Sequence, residues 1–343
     1  MATMTAYRMI DWHRAEFTDV PVPTPGPGEV RVRVASVGLC HSDILFLDAE
    51  PDRFGYTLPF TLGHEIAGWV DEVGAGVAGL AEGDAVVVSS HLSCGACRYC
   101  RSGYDNYCTR STWGLGFGRD GGLANYVLTH RRSIIGPTTL DPRRAGPLAD
   151  AGYTSYHAVR RILPKLRPGT TALVIGVGGL GGYAVQYLAQ LSPAKIVVVD
   201  VAPHRLELAR SYGAHVAIEV DEHLDERVRA AVGEGGADGV FDFVGADATM
   251  KLALASAATL GSVALVGAAG GTAGVSWESV RREVDVFIPQ GGTMSDLADV
   301  VALAEQGRLQ MVDEVFAFAD LPAAYERLRR GDLRGRAVVL PNG

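Results

Sequence analysis

Ala172-Leu173-Val174-Ile175-Gly176-Val177-Gly178-Gly179-Leu180-Gly181 is a run of four apolar residues entering three glycines spaced G-x-G-x-x-G. The run predicts a buried strand, a tight turn and the first turn of a helix over Gly179–Gln190. A second strand follows at Lys195–Asp200 and a second helix at His204–Ser211, with Asp200 standing nineteen residues beyond Gly181. Strands at Gly239–Phe243 and Gly261–Val266, with a helix between them, continue the alternation. Strands separated by crossover helices give a parallel sheet, so an α/β Rossmann fold with a doubly wound sheet is expected over 154–287. The glycines let backbone approach a pyrophosphate at the positive helix N-terminus, and Asp200 can accept hydrogen bonds from adenosine ribose hydroxyls, favouring NAD over NADP. Arg205 could neutralise a ribose phosphate or be a solvated helix residue beside Glu207. A structural loop without cofactor is the plainer alternative for the glycines.

Upstream the texture is different. Short apolar runs at Val30–Val37, Ile66–Val73, Asp84–Ser89 and Ala124–Leu128 are punctuated by Gly and Pro and predict a β-rich region over 1–153. Pro21, Pro23, Pro25 and Pro27 read as a surface lead-in to a strand. Downstream, a helix is expected at Ser295–Gln306, a strand at Val315–Phe318, a helix at Ala323–Arg330 and a closing strand at Arg336–Leu340. That tail, 288–343, is expected to rejoin the first domain. With 343 residues, 48% hydrophobic and 20% charged, the chain suits two folded domains. A net charge of −8 with no basic run argues against nucleic acid or membrane partners. Met1–Val20 lacks the apolar stretch of a signal peptide and no segment reaches spanning length, so a cytoplasmic protein is expected.

Four of the five cysteines, Cys94, Cys97, Cys100 and Cys108, form C-x2-C-x2-C-x7-C in a lobe at 91–110. Four thiolates so close can enclose one tetrahedral zinc with no open position, while an iron–sulfur cluster uses similar spacing. The fifth lies in Gly38-Leu39-Cys40-His41-Ser42-Asp43, and Gly63-His64-Glu65 follows. A Cys and a His from separate segments, with hydroxyl and carboxylates beside them, suit a catalytic zinc with an open position; a buried thiol beside a surface imidazole is the alternative.

Over essentially its whole length the chain resembles the zinc-containing medium-chain alcohol dehydrogenases, through Gly38–Asp43, Gly63-His64-Glu65, the four-cysteine lobe, Leu148–Ala158, Gly176–Gly181 with Asp200, and Arg334–Leu340. It is most similar to bacterial NAD-dependent secondary-alcohol dehydrogenases. The resemblance implies a GroES-like first domain and an oxidoreductase moving a hydride between NAD and a small alcohol or carbonyl substrate, with two zinc ions per chain. It implies Cys40 and His64 as catalytic-zinc ligands, Asp43 as the group orienting His64, and Glu65 as a carboxylate able to approach the metal. The third ligand, commonly Cys in relatives, falls at Asp150, which could instead cap the following helix. Ser42 would begin a proton relay, although Leu45 stands where some relatives carry a relay His. By the same resemblance His41 and Arg336 would contact the pyrophosphate, Thr154 the nicotinamide, and Gly176, Gly178, Gly179, Leu180, Gly181, Asp200, Arg205, Val244 and Val266 the rest of the dinucleotide. A homodimer or homotetramer is implied. Substrate-pocket candidates are Leu45, Phe54, Tyr56, Trp113 and Pro289–Thr293. A metal-independent reductase of activated alkenes and a non-catalytic NAD-sensing zinc protein are the competing readings.

Overall fold

In the computed structural model, which describes residues 2–50, 53–111 and 114–343, the chain separates into two compact units, 1–153 with 292–343 and 154–291. The second division falls four residues beyond the expected 287/288, after the last strand of the parallel sheet has ended at Phe287. Trp113 lies outside the described residues.

The 154–291 unit is built on six parallel strands, β1 (Thr171–Ile175), β2 (Lys195–Asp200), β3 (Val216–Glu219), β4 (Ala237–Asp242), β5 (Ala257–Leu265) and β6 (Asp285–Phe287). Their spatial order is β3-β2-β1-β4-β5-β6. That order reverses direction beside β1, and dinucleotides bind at such a switch point. The central strands are buried on both faces, which is why they read as unbroken apolar runs and not as alternations. Leu173, Ile175, Val197, Val199, Val240 and Val263 share one core. Burial of each such side chain contributes roughly 1.5–3 kcal/mol.

In the other unit a seven-stranded sheet runs Ile134–Ile135, Ala85–Val88, Glu65–Val73, Glu29–Gly38, Arg336–Leu340 and Asp313–Ala317, with Tyr126–His130 also paired to Glu29–Gly38. Arg336–Leu340 pairs antiparallel with Glu29–Gly38, setting Val338 opposite Gly38. The sequence reading found no hairpin at the N-terminus. The structure has one, Thr3–Asp11 with Arg14–Pro21, whose pairing reaches from Thr3 to Pro21. Its solvent-facing charges hide the alternation, and Ala6 and Met9 alone are completely buried. No helix among the described residues is long and apolar enough to cross a membrane.

Candidate active site

Cys40 ends an extended segment and precedes the short helix His41–Leu47. The Asp43 carboxylate accepts the Cys40 backbone N–H at 3.0 Å through one oxygen. Its other oxygen lies 3.0 Å from Nδ1 of His64. A single buried carboxylate thereby fixes both the loop that carries the thiol and the tautomer of the ring, leaving Nε2 for a ligand. His64 Nε2 points at Asp150, 3.4 Å from Oδ2. Asp150 directly precedes the helix Ala151–Ile162. Cys40, His64, Glu65 and Asp150 each offer a donor atom, and these four atoms lie within 4.8 Å of one another. Ser42 Oγ stands 3.5 Å from Cys40 Sγ.

Glu65 and Arg336 meet beside this cluster. Both oxygens of Glu65 engage the Arg336 guanidinium, one of them at 3.0 Å from Nε. Arg336 is buried and its Nη2 also approaches Asp150, at 4.0 Å. Arg336 therefore lies beside the metal-ligand cluster. Strand pairing is the cause: Gly38 sits opposite Glu65 in one direction and Val338 in the other. A Cβ on Gly38 would overlap the Glu65 carboxylate, so only glycine admits the pair.

Charge completes the picture. Burial alone would raise the Cys40 thiol, but Arg336 and the His64 ring outweigh it and hold the thiol below its ordinary value. Burial would likewise depress His64, yet the Asp43 carboxylate, together with Asp150, raises it well above the usual histidine range. This donor set attracts positive charge, and thiolate, imidazole and carboxylate with space between them are the chemistry of a catalytic zinc site. The observed separations fit such an ion.

The lobe cysteines fit a second. Their sulfurs lie within 4.8 Å of one another, with Cys97–Cys100 at 3.5 Å and Cys94–Cys100 at 4.0 Å, and none forms a disulfide. A tetrahedron with zinc–sulfur bonds of about 2.3 Å has edges of roughly 3.8 Å. Backbone N–H groups of Ala96 and Cys97 point at Cys94 Sγ, and that of Cys94 at Cys108 Sγ. N–H groups of Cys100 and Thr109 lower the Cys97 thiol to about 5, favouring the thiolate that binds metal.

In the 154–291 unit, Gly176 turns with φ +82°, and a Cβ on Gly181 would overlap the Gly176 carbonyl. Gly178 is different: a Cβ there would meet only Arg205 Nη1, at 3.9 Å, leaving open space before the helix Gly179–Leu191. That cradle fits a pyrophosphate. Asp200 accepts N–H groups of Val177 at 2.8 Å and Ala202 at 2.9 Å, so it braces the glycine turn besides ending β2. Arg205 Nη1 stands 3.9 Å from its carboxylate. Val244 is partly exposed beside Gly176, Val266 follows β5, and Thr154 is buried in its helix.

Residues 26–137 match the alcohol dehydrogenase GroES-like domain, and 179–306 match the zinc-binding dehydrogenase domain. The chain is 35% identical to an NAD-dependent alcohol dehydrogenase of Sulfolobus acidocaldarius, across 99% of each chain. It belongs to the zinc-containing medium-chain alcohol dehydrogenases. The alcohol dehydrogenase of Aeropyrum pernix has the same fold, with TM-score 0.92 and 32% identity over 98% of this chain and 100% of that one. An acetophenone reductase from Geotrichum candidum, solved with NAD, matches with TM-score 0.88 and 30% identity over 98% and 97%.

Three side chains beside this dehydrogenase's metal-ligand cluster escaped the sequence reading. Phe117 lies with its ring centroid 4.3 Å from that of His64. It continues into Phe46, at 4.8 Å, and thence to Phe54 and Tyr56. His91 Nδ1 is 2.6 Å from the Tyr153 hydroxyl. No spacing rule flags a lone Phe, His or Tyr, and the aromatic residues singled out from sequence were Phe54, Tyr56 and Trp113.

Proposed function

We propose that Cys40, His64 and Asp150 hold the catalytic zinc of a dehydrogenase that oxidises secondary alcohols reversibly to ketones, while Cys94, Cys97, Cys100 and Cys108 hold the structural ion. The protein is a zinc-dependent, NAD-linked alcohol dehydrogenase; the ligand assignment and the preference for secondary alcohols are our reading. It is carried by one observation, the convergence of thiol, imidazole and carboxylate within 4.8 Å. When bound, the metal supplies Lewis acidity that lowers the pKa of an alcohol oxygen, and NAD accepts the hydride.

The protein's own groups do the rest. Asp43 holds His64 in the tautomer that presents Nε2. Ser42 Oγ takes the substrate hydroxyl proton and passes it outward through His41, exposed at the start of the same helix, or through water, since Leu45 offers no relay. Arg336 neutralises Glu65 beside the ligand set. Phe117, Phe46 and Phe54 form an apolar wall next to His64 that suits the carbon skeleton of a secondary alcohol. The Gly176–Gly181 turn, Asp200 and Arg205 hold the dinucleotide, with Val244, Val266 and Thr154 as apolar and hydroxyl contacts. We place the protein in the cytoplasm, where free thiols persist as metal ligands, as a homodimer or homotetramer. The test is zinc quantification with an assay of alcohol-dependent NADH formation: two zinc ions per chain and turnover of secondary alcohols are expected. One zinc per chain with full activity would overturn the ligand assignment.

A further inference from the structure

We propose that His91 donates a hydrogen bond to a second oxygen of the substrate, making the enzyme selective for secondary alcohols that carry a neighbouring oxygen, such as 1,2-diols and the hydroxy ketones formed from them. The proposal deepens the function above and rests on it.

Position comes first. Ala85–Val88 pairs antiparallel with Glu65–Val73, with Val88 opposite Ile66. The same register carried two residues further sets Ser90 beside His64, and His91 is the next residue. Asp150 and His64 both act on His91 and on Tyr153 through their charges, so the pair lies within the field of the metal-ligand cluster.

His91 is held from three directions. Its Nδ1 is 2.6 Å from the hydroxyl of Tyr153, which is completely buried and stands three residues after Asp150. Ser89 Oγ accepts the His91 backbone N–H at 3.2 Å and lies 3.4 Å from the same phenol oxygen. Ser133 Oγ donates to the His91 carbonyl at 3.3 Å. Tyr153 is completely buried and packs closely on Gly292, where a Cβ would meet its ring at 2.8 Å.

The orientation of the proton follows. Burial pushes the Tyr153 phenol up and the His91 imidazole down, so both stay neutral at working pH. A protonated phenol donates to Nδ1, which puts the single ring proton on Nε2. Nε2 has no partner among the described residues, and His91 remains partly exposed. The result is a fixed, partly exposed N–H donor within the field of the metal-ligand cluster. A site built to hydrogen-bond a substrate oxygen discriminates against the analogue that lacks it, whereas an apolar pocket barely distinguishes the two.

The test compares kcat/KM for butane-2,3-diol and butan-2-ol with NAD in the zinc-loaded wild type, in His91→Phe and in Tyr153→Phe. The wild type is expected to favour the diol by at least about 10-fold. In His91→Phe that ratio should fall about 10-fold or more, chiefly through KM for the diol. Tyr153→Phe, which deletes only the hydroxyl that sets the tautomer, should move the ratio the same way, and it carries the test alone if His91→Phe does not fold. Equal ratios in wild type and variants, with butan-2-ol oxidised, overturn the role of His91. A wild type that holds two zinc ions and oxidises neither alcohol overturns the proposed function itself.

Discussion

Glu65 is completely buried against Arg336, and neither charge can reach water if the other is removed. Breaking a buried ion pair by deleting one partner costs about 3–5 kcal/mol, whereas deleting both costs less because no lone charge is left. Glu65→Ala should therefore lower the denaturant midpoint sharply, and Glu65→Ala with Arg336→Met should recover a large part of the loss. A double variant no more stable than the single one would show that the pair is not the source of the penalty. Cys40→Ser removes the thiolate from the ligand set while keeping the size of the side chain. Zinc should fall from two ions to one per chain and turnover by more than about 100-fold, since disturbing even the supports of a metal ligand costs 10–100-fold. Dinucleotide binding, followed by NADH fluorescence, should persist. At Asp200 the expectation is mixed: Asp200→Ala removes a charge that repels a ribose phosphate but also frees the Val177 and Ala202 N–H groups. Affinity for NAD should fall, and the NADP-to-NAD ratio of kcat/KM should rise about 10-fold or more; an unchanged ratio would assign the preference elsewhere.

These residues also mark how far the sequence could be read. The four lobe cysteines announce themselves by type and spacing, because few side chains bind zinc, whereas Cys40 and His64 could equally be a buried thiol and an imidazole and were singled out by the family resemblance. Nor does Asp150 announce itself, as an Asp before a helix is ordinarily a cap, and only the family resemblance singled it out. The Glu65–Arg336 pair was out of reach altogether, since 271 positions separate its members and a strand register joins them.

At the scale of elements, the longest apolar runs were legible and the marginal strands were not. β1 and β2 were found within a residue because buried parallel strands leave an uninterrupted signature. β3 and β6, four and three residues long, carry no such signature and were missed. The strand expected at Val315–Phe318 begins two residues earlier, at Asp313, whose charge disguises a buried position. Its side chain is 4% exposed, with Arg144 Nε at 3.6 Å and no hydrogen-bond partner for either oxygen. Burial raises this carboxyl to about 6. The folded pKa thus lies above the unfolded value near 4, so folding favours the protonated form. Its stabilising contribution is complete below pH about 4 and disappears as pH rises through 6. Asp313→Asn, neutral throughout, should be more stable than wild type at pH 8 by on the order of 1–3 kcal/mol, with the advantage shrinking toward pH 4.5. Thermal unfolding of both proteins across that range checks it, and parallel pH profiles would remove Asp313 as the cause.

For the molecule as a whole, the change of texture near residue 154 was visible because strand-rich and helix-alternating sequence differ in period, and the contact boundary also lies between 153 and 154. Oligomeric state depends on surface, where periodicity is silent. Among the described residues β6 is the outermost strand of its sheet and pairs with β5 alone. Within it Val286 is 40% exposed, and Ile288, just after it, 74%. An open strand edge flanked by large apolar side chains invites pairing with another chain, and a two-fold axis lets the same edge serve both copies. Such pairing would extend the six-stranded sheet across the axis while covering Val286 and Ile288, so a charge at the edge should oppose it strongly. Ile288→Asp combined with Val286→Lys is expected to halve the mass measured by light scattering and to leave the zinc content at two ions per chain. An undiminished mass in a protein that keeps both ions would show that this edge does not pair.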